Sequence, residues 1–181
     1  MAAQQRFSDY GPCKTTMAEI ASDCEMSVGN LYRHFKNKHA IMIACLTQQL
    51  QEKLDAGIAA SAQREGLDAL RAFLQTRLKI AHAQFAGTRH LFDLLSAIES
   101  RHRDVLLAYE RKVIIAIATI LQQASEQGFL QCSDTEQTAY DIHQATLRYN
   151  NPINLQNNPL DQLSVDLDRL IDLLYSGLRS R

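Results

Sequence analysis

Glycine and proline are scarce in this sequence, with seven and three among 181 residues. So few breakers, set among many Ala, Leu, Ile, Gln and Glu, favour an all-α protein. No CxxC pair occurs among the cysteines at 13, 24, 45 and 132, and no Cys/His cluster has zinc spacing, so no metal is expected. The four thiols read as small reduced side chains of a cytosolic protein. There is no signal peptide, and no apolar run approaches the roughly 20 residues that cross a bilayer, so a cytoplasmic chain with no membrane partner is expected. Catalytic patterns are missing too: no Ser/His/Asp motif, glycine-rich phosphate loop or HExxH. Glu99 and Asp104 lie near His102, but neighbouring charges on a helix are usually solvated. An enzyme is therefore not expected, and neither is a cofactor. The net charge of −1 excludes a uniformly basic protein. Charge is nevertheless uneven: Leu31 to Ile43 holds Arg33, His34, Lys36, Lys38 and His39 with no acid, a stretch able to attract phosphates.

What is present is helical periodicity. Ala2 to Tyr10 reads as a short helix stopped at Gly11-Pro12. Thr16 with Glu19 forms a capping box that opens a second helix, ending near Glu25. Ser27 caps a very short third helix to His34, and Asn37 caps a long fourth toward Ala60. After a break from Gly57 to Gly66, Leu67, Leu70, Phe73, Leu74, Arg77, Leu78 and Ala81 trace one stripe. A short helix is expected over residues 89–98. A long one follows over 100–127, with Val105, Tyr109, Val113, Ala116 and Ile120 on one side and Gly128 as its stop. Ser133 and Glu136 match a second capping box, for a helix to Tyr149. Residues 150–159, with two Asn-Pro steps, read as a loop, and a strongly apolar helix over 160–177 closes the count at about nine.

Two short helices around a tight turn, the second very short and polar, are a helix-turn-helix signature. The second must enter a major groove about 12 Å wide, so its outward residues need to be small or able to hydrogen-bond. Ser27, Val28, Gly29, Asn30 and Tyr32 occupy those positions, while Leu31 and Phe35 point back to clamp the helix. Asn30 suits adenine or phosphate. Tyr32, His34 and Lys38 are placed to hold the phosphate backbone. Thr15 and Thr16 sit at a helix start, where hydroxyls and free amides favour anions.

The string Thr15-Thr16-Met17-Ala18-Glu19-Ile20-Ala21, followed by Met26 through Lys38, resembles the DNA-binding domain of TetR-family regulators, whose pattern runs TT-x-x-x-IA and then VS-x-G-x-LY-x-HF-x-x-K. Phe7 and Gly11 also fall in place, and the likeness covers about residues 2 to 50. It implies an all-helical homodimer whose N-terminal domains, here residues 1–50, read the two halves of a palindromic operator on double-stranded DNA. Residues 51–181 would form a ligand-binding and dimerisation domain, and a small effector of unknown identity would release the DNA. Three departures stand out. The sequence begins inside the family's first helix without the usual basic lead-in, which would cost phosphate contacts. Val28 replaces a commonly polar or basic residue and suits a thymine methyl. His39 stands where an acid is common.

Beyond residue 55 the resemblance is weak. Candidate ligand contacts are the polar and aromatic residues on apolar helices: His82, Phe85, Arg89, Phe92, Tyr109, His143 and Arg148. The plainer use of His82, His143, Phe85 and Phe92 is in a core, and Arg89 could simply pair with Asp93. For the dimer interface, Ala139, His143 and Leu147 share one helix face, and Leu163, Leu167, Leu170 and Leu174 lie on the last helix, whose apolar surface exceeds its own packing needs. The competing reading is a helical ligand-binding or interaction dimer with impaired DNA binding.

Overall fold

The computed structural model describes residues 2–85 and 103–178, and these residues are all-helical, with nine α-helices and one 3₁₀ turn. They pack as two compact units, divided within a helix after Leu50; Arg103–Leu106 go with the first unit. The expected helix over 89–98 lies outside the described residues, as do Arg89 and Phe92.

In the first unit, α1 (Ala2–Tyr10) buries Ala3 and Phe7, one turn apart. Gly11 ends it: at φ 81° its N–H reaches back to the Phe7 carbonyl at 3.1 Å. Helix α2 (Met17–Asp23) starts at the expected capping box. The Glu19 N–H donates to Thr16 Oγ1 at 3.3 Å, and the Thr16 N–H donates to Glu19 Oε2 at 2.8 Å. Its end is a Schellman turn. The Met26 N–H bonds to the Ala21 carbonyl and the Glu25 N–H to that of Ser22, with Glu25 itself at φ 54°. That turn re-aims the chain within four residues, and Ser27 then caps α3 (Val28–His34) by accepting from the Asn30 N–H. Ile20, Ala21, Leu31, Ile41 and Met42 complete the core, with Cys24 and Cys45 half-buried against it. Burial pushes the Cys45 thiol up, whereas Cys13 is exposed.

Helix α4 (Lys38–Ser61) runs straight through Gly57, which the sequence suggested as a break. That glycine is a packing device: a Cβ there would sit 3.0 Å from both Arg77 Cγ and Phe73 Cδ2 of α5 (Gly66–Phe85). Helix α6 (Arg103–Glu126) buries Val113, Ile117, Ile120, Leu121 and Ala124, so the expected stripe through Val105, Tyr109 and Ala116 lies to one side of the true one. Gly128, at φ 80°, closes it in a second Schellman turn, with Phe129 N–H on Ala124 and Gly128 N–H on Ser125. Helix α7 (Thr135–Thr146) passes into the 3₁₀ turn Leu147–Asn150.

Two boundary expectations are corrected. The cap of α7 is Asp134, whose carboxylate accepts from the Gln137 N–H at 2.9 Å, while Ser133 stays exposed outside the helix. The two overlapping patterns, Ser-x-x-Glu and Asp-x-x-Gln, compete for one helix start. The supposed loop at 150–159 contains α8 (Pro152–Asn157). Proline sits at its first turn, where no N–H is needed, and Asn151 accepts from the Ile153 and Asn154 amides. Leu155 of that helix is fully buried.

Helix α9 (Leu160–Leu178) is gripped by a polar seam from α5. Arg71 donates to Asp168 at 2.6 Å and to Asp172 at 2.5 Å, and Gln75 donates to the Ser164 carbonyl at 2.9 Å. No described helix is long and apolar enough to cross a membrane. We expect Asp134→Ala to cost about 1 kcal/mol of stability in urea unfolding, as losing a helix N-cap does, and Ser133→Ala to leave the midpoint unchanged.

Candidate functional site

Two sites emerge, one in each unit. The first is the exposed side of α3. Val28 and Tyr32, one helical turn apart, are 38% and 52% exposed. Ser27, Gly29 and His34 are exposed as well, and a Cβ on Gly29 would meet nothing within 4 Å. Leu31 points inward at 4% exposure, as a clamp must, with Phe35 half-buried beside it. Asn30 is half-buried, and its amide is used by the Ser27 cap.

The helix start before α2 differs from expectation. Thr15 is buried at 1% exposure, and its hydroxyl donates to the Gly11 carbonyl at 2.9 Å, so that hydroxyl stitches the turn and is not presented to an outside anion. Thr16 is exposed, but its hydroxyl is engaged with Glu19. That engagement, followed by the nearby Arg6, holds the Glu19 carboxyl below the usual range. Lys38 is half-buried and donates to the Thr15 carbonyl at 2.6 Å, tying the start of α4 to the start of α2 with one of its three N–H groups. Arg6 braces α2 along its length, through a bidentate contact with Asp23 at its last residue and a 3.4 Å contact with Glu19 in its first turn.

The second site is inside the other unit. Arg77 of α5 is 1% exposed and Lys53 of α4 is 3% exposed. The Lys53 ammonium lies 5.5 Å from the centre of the Tyr109 ring, and the Arg77 guanidinium lies 5.2 Å from the Phe73 ring. Among the described residues Arg77 Nη2 makes a long 3.4 Å contact with the Tyr109 hydroxyl, and its Nε and Nη1 have no hydrogen-bond partner. His143 of α7 is 5% exposed, with Nε2 equally unpartnered. The ion pairs found among the described residues belong to Arg6 and Arg71, not to this cluster. Burial, and then the positive Arg77, bring the Lys53 pKa down to about 7 and that of His143 to about 4.

Of the candidate ligand contacts, Tyr109 and His143 belong to this cluster. His82 is occupied with the Asn158 carbonyl at 3.1 Å, Phe85 packs on the core, and Arg148 is exposed over the Tyr149 ring. Lys53 and Arg77 were not among the candidates. A charge in the middle of an apolar stripe was the available signal, and Arg77 carries it.

The expected dimer face fares differently. Ala139, His143, Leu163 and Leu167 are buried in this chain's own core, with Leu170 and Leu174 packed against it. Exposed apolar groups on those elements are Tyr140, Leu147, Val165 and Leu173. At 100° per residue, Val165 stands on the side of α9 opposite Leu163, Leu167 and Leu174, and Leu173 stands on the flank between.

The lowered Lys53 and His143 values fix the sign of a pH effect. The unfolded chain binds more protons than the folded one between about pH 4 and 6.5 for His143, and between about 7 and 10.5 for Lys53. Each of the two groups therefore adds stability as pH rises through its own window. Thermal unfolding from pH 4 to 10 checks this, and Lys53→Met should flatten the upper window while leaving the lower one.

Comparison with known proteins agrees with both halves. Residues 1–45 match the family model described as bacterial regulatory proteins, tetR family, and residues 67–171 match the tetracyclin repressor-like C-terminal domain. The HTH-type transcriptional regulator TtgR of Pseudomonas putida is 25% identical over 150 residues, covering 76% of this chain and 70% of that protein. A transcriptional regulator from Cytophaga hutchinsonii superposes with a TM-score of 0.71 at 22% identity, over 99% of this chain and 95% of that one. FadR of Thermus thermophilus, a TetR-family repressor solved with lauroyl-CoA, gives 0.65 at 22% identity, over 99% and 93%. With its recognition motif and its C-terminal helices both matched, the chain belongs to the TetR family of bacterial transcriptional regulators.

Proposed function

We propose that this regulator acts as a dimeric repressor: α3 reads half of a palindromic operator, and a small molecule bound among the helices of residues 51–181 releases it. The observation that carries the DNA half is the exposure of Val28 and Tyr32 on a seven-residue helix whose clamp residue Leu31 is buried. Apolar and aromatic groups left in solvent at that place suit base edges and sugar-phosphate, Val28 toward a thymine methyl and Tyr32 toward phosphate. Gly29 permits close approach, and Ser27, Asn30, Thr16, His34 and Lys38 flank it. The effector half is supported by the buried Lys53–Arg77–His143 cluster and by the ligand of the Thermus relative, a repressor of similar fold.

Operator binding is tested on fragments selected from random-sequence DNA, by gel shift at several salt concentrations. Tyr32→Ala should weaken binding to all sequences by about tenfold, whereas Asn30→Ala should relax specificity at one position by roughly 1–3 kcal/mol. Wild-type affinity and specificity in both variants would place the recognition surface elsewhere. Failure of the wild-type chain to select any DNA would favour the ligand-binding dimer without operator function.

Self-association we assign to the outer faces of α7 and α9, through Tyr140, Leu147, Val165 and Leu173, because these large apolar groups are exposed. Val165→Glu with Leu173→Glu should give a folded monomer by light scattering. A dimer that survives both charges refutes this assignment.

A further inference from the structure

We infer that Lys53, Arg77 and His143 form a buried receptor for a carboxylate, and that the effector is an organic acid with an apolar body. The inference rests on the effector-released reading above and names its ligand class. Three basic side chains come from three helices of the second unit: Lys53 of α4 and Arg77 of α5 lie 5.5 and 6.0 Å from the centre of the same Tyr109 ring, and the Arg77 charge reaches His143 of α7. Each is at most 5% exposed, and no described carboxylate pairs with them.

Burying an unpaired guanidinium is costly, because the interior cannot replace its lost hydration. The rings of Phe73 and Tyr109 offset part of that cost by cation–π attraction but accept no ordinary N–H hydrogen bond. Arg77 Nε and Nη1 and His143 Nε2 are left without partners. A carboxylate offers two oxygens and about four acceptor sites, enough to take hydrogen bonds from several converging donors.

The charge count favours a singly charged head. Arg77 supplies one fixed positive charge, and Lys53, with a pKa near 7, adds a second as the anion arrives. A dianion would lose far more hydration on entering the same apolar surroundings. The body of the ligand follows from those surroundings: Leu54 and Ile142 adjoin Lys53 and His143 in sequence, Phe73 and Leu74 lie one helical turn before Arg77, and all four are core residues at most 3% exposed.

The test is calorimetric titration of the full chain with dodecanoate and phenylacetate against their uncharged methyl esters, with thermal unfolding as a second readout. The acids should bind at least tenfold more tightly than the esters and raise the unfolding midpoint. Arg77→Met should erase that preference, and Lys53→Met should reduce it. Without ligand, Arg77→Met should unfold at the wild-type temperature or above, because it removes an unpaired buried charge. If Arg77→Met does not fold, Arg77→Lys, which keeps the charge but loses the donor geometry, should lower the preference.

Equal binding of acids and esters overturns the inference, as does no binding of any acid, or an acid preference that persists in the Arg77 and Lys53 variants. Esters that bind and release operator DNA would sink the carboxylate receptor but leave the effector reading standing. Acids that bind through Arg77 without changing DNA affinity would do the reverse.

Discussion

The charge of Arg77 is held where the apolar stripe of α5 would otherwise be continuous. Leu70, Phe73, Leu74, Leu78 and Ala81 lie on the same buried arc, so the guanidinium cannot leave the core without moving the helix. Its position is enforced from the other side by Gly57. Any side chain there would meet the Arg77 and Phe73 side chains at 3.0 Å, so those two side chains pack directly on the α4 backbone. Lys53 and His143 feel this placement as a second effect, because each loses proton affinity first to its own burial and then to the same neighbouring cation.

The rest of α5 is organised to keep that residue in register. Arg71, Gln75 and His82 fall on a second face: the first two reach Asp168, Asp172 and Ser164 of α9, and His82 reaches the carbonyl of Asn158, which ends α8. Exposed ion pairs contribute little energy each, on the order of 0–1 kcal/mol. Their directional hydrogen bonds matter more here as a gauge of how far α9 can slide along α5. The far end of α9 is fixed separately, by the Tyr175 hydroxyl donating to the Phe129 carbonyl and the Gln131 N–H donating to that of Leu178.

Legibility followed the range of the forces involved. The recognition unit was readable because its determinants are local: a capping box four residues long, a serine cap, a buried leucine followed by exposed residues. Its exception, Thr15, turned on a contact with Gly11 that no spacing rule identifies. The Asn-Pro steps misled because the same dipeptide that breaks one helix starts the next. Leu163 and Leu167 were assigned to a partner surface because surplus apolar area on α9 does not reveal which side the chain itself will cover. That depends on α5, some 90 residues away in sequence. Tyr109 and His143 stood out as polar groups on apolar helices, but Lys53 and Arg77 were absorbed into the pattern around them.

The packing of the first unit also settles its thiol chemistry. Cys24 and Cys45 are half-buried against the core of α1–α4, and the Cys45 thiol is held protonated by that burial. A protonated thiol is a poor nucleophile toward peroxides, disulfides and alkylating reagents. Cys13, exposed in the turn between α1 and α2, is the more accessible target. A fluorophore or cross-linker delivered by maleimide therefore arrives first beside the helix-turn-helix, where a label can report on DNA binding without entering the core that supports it.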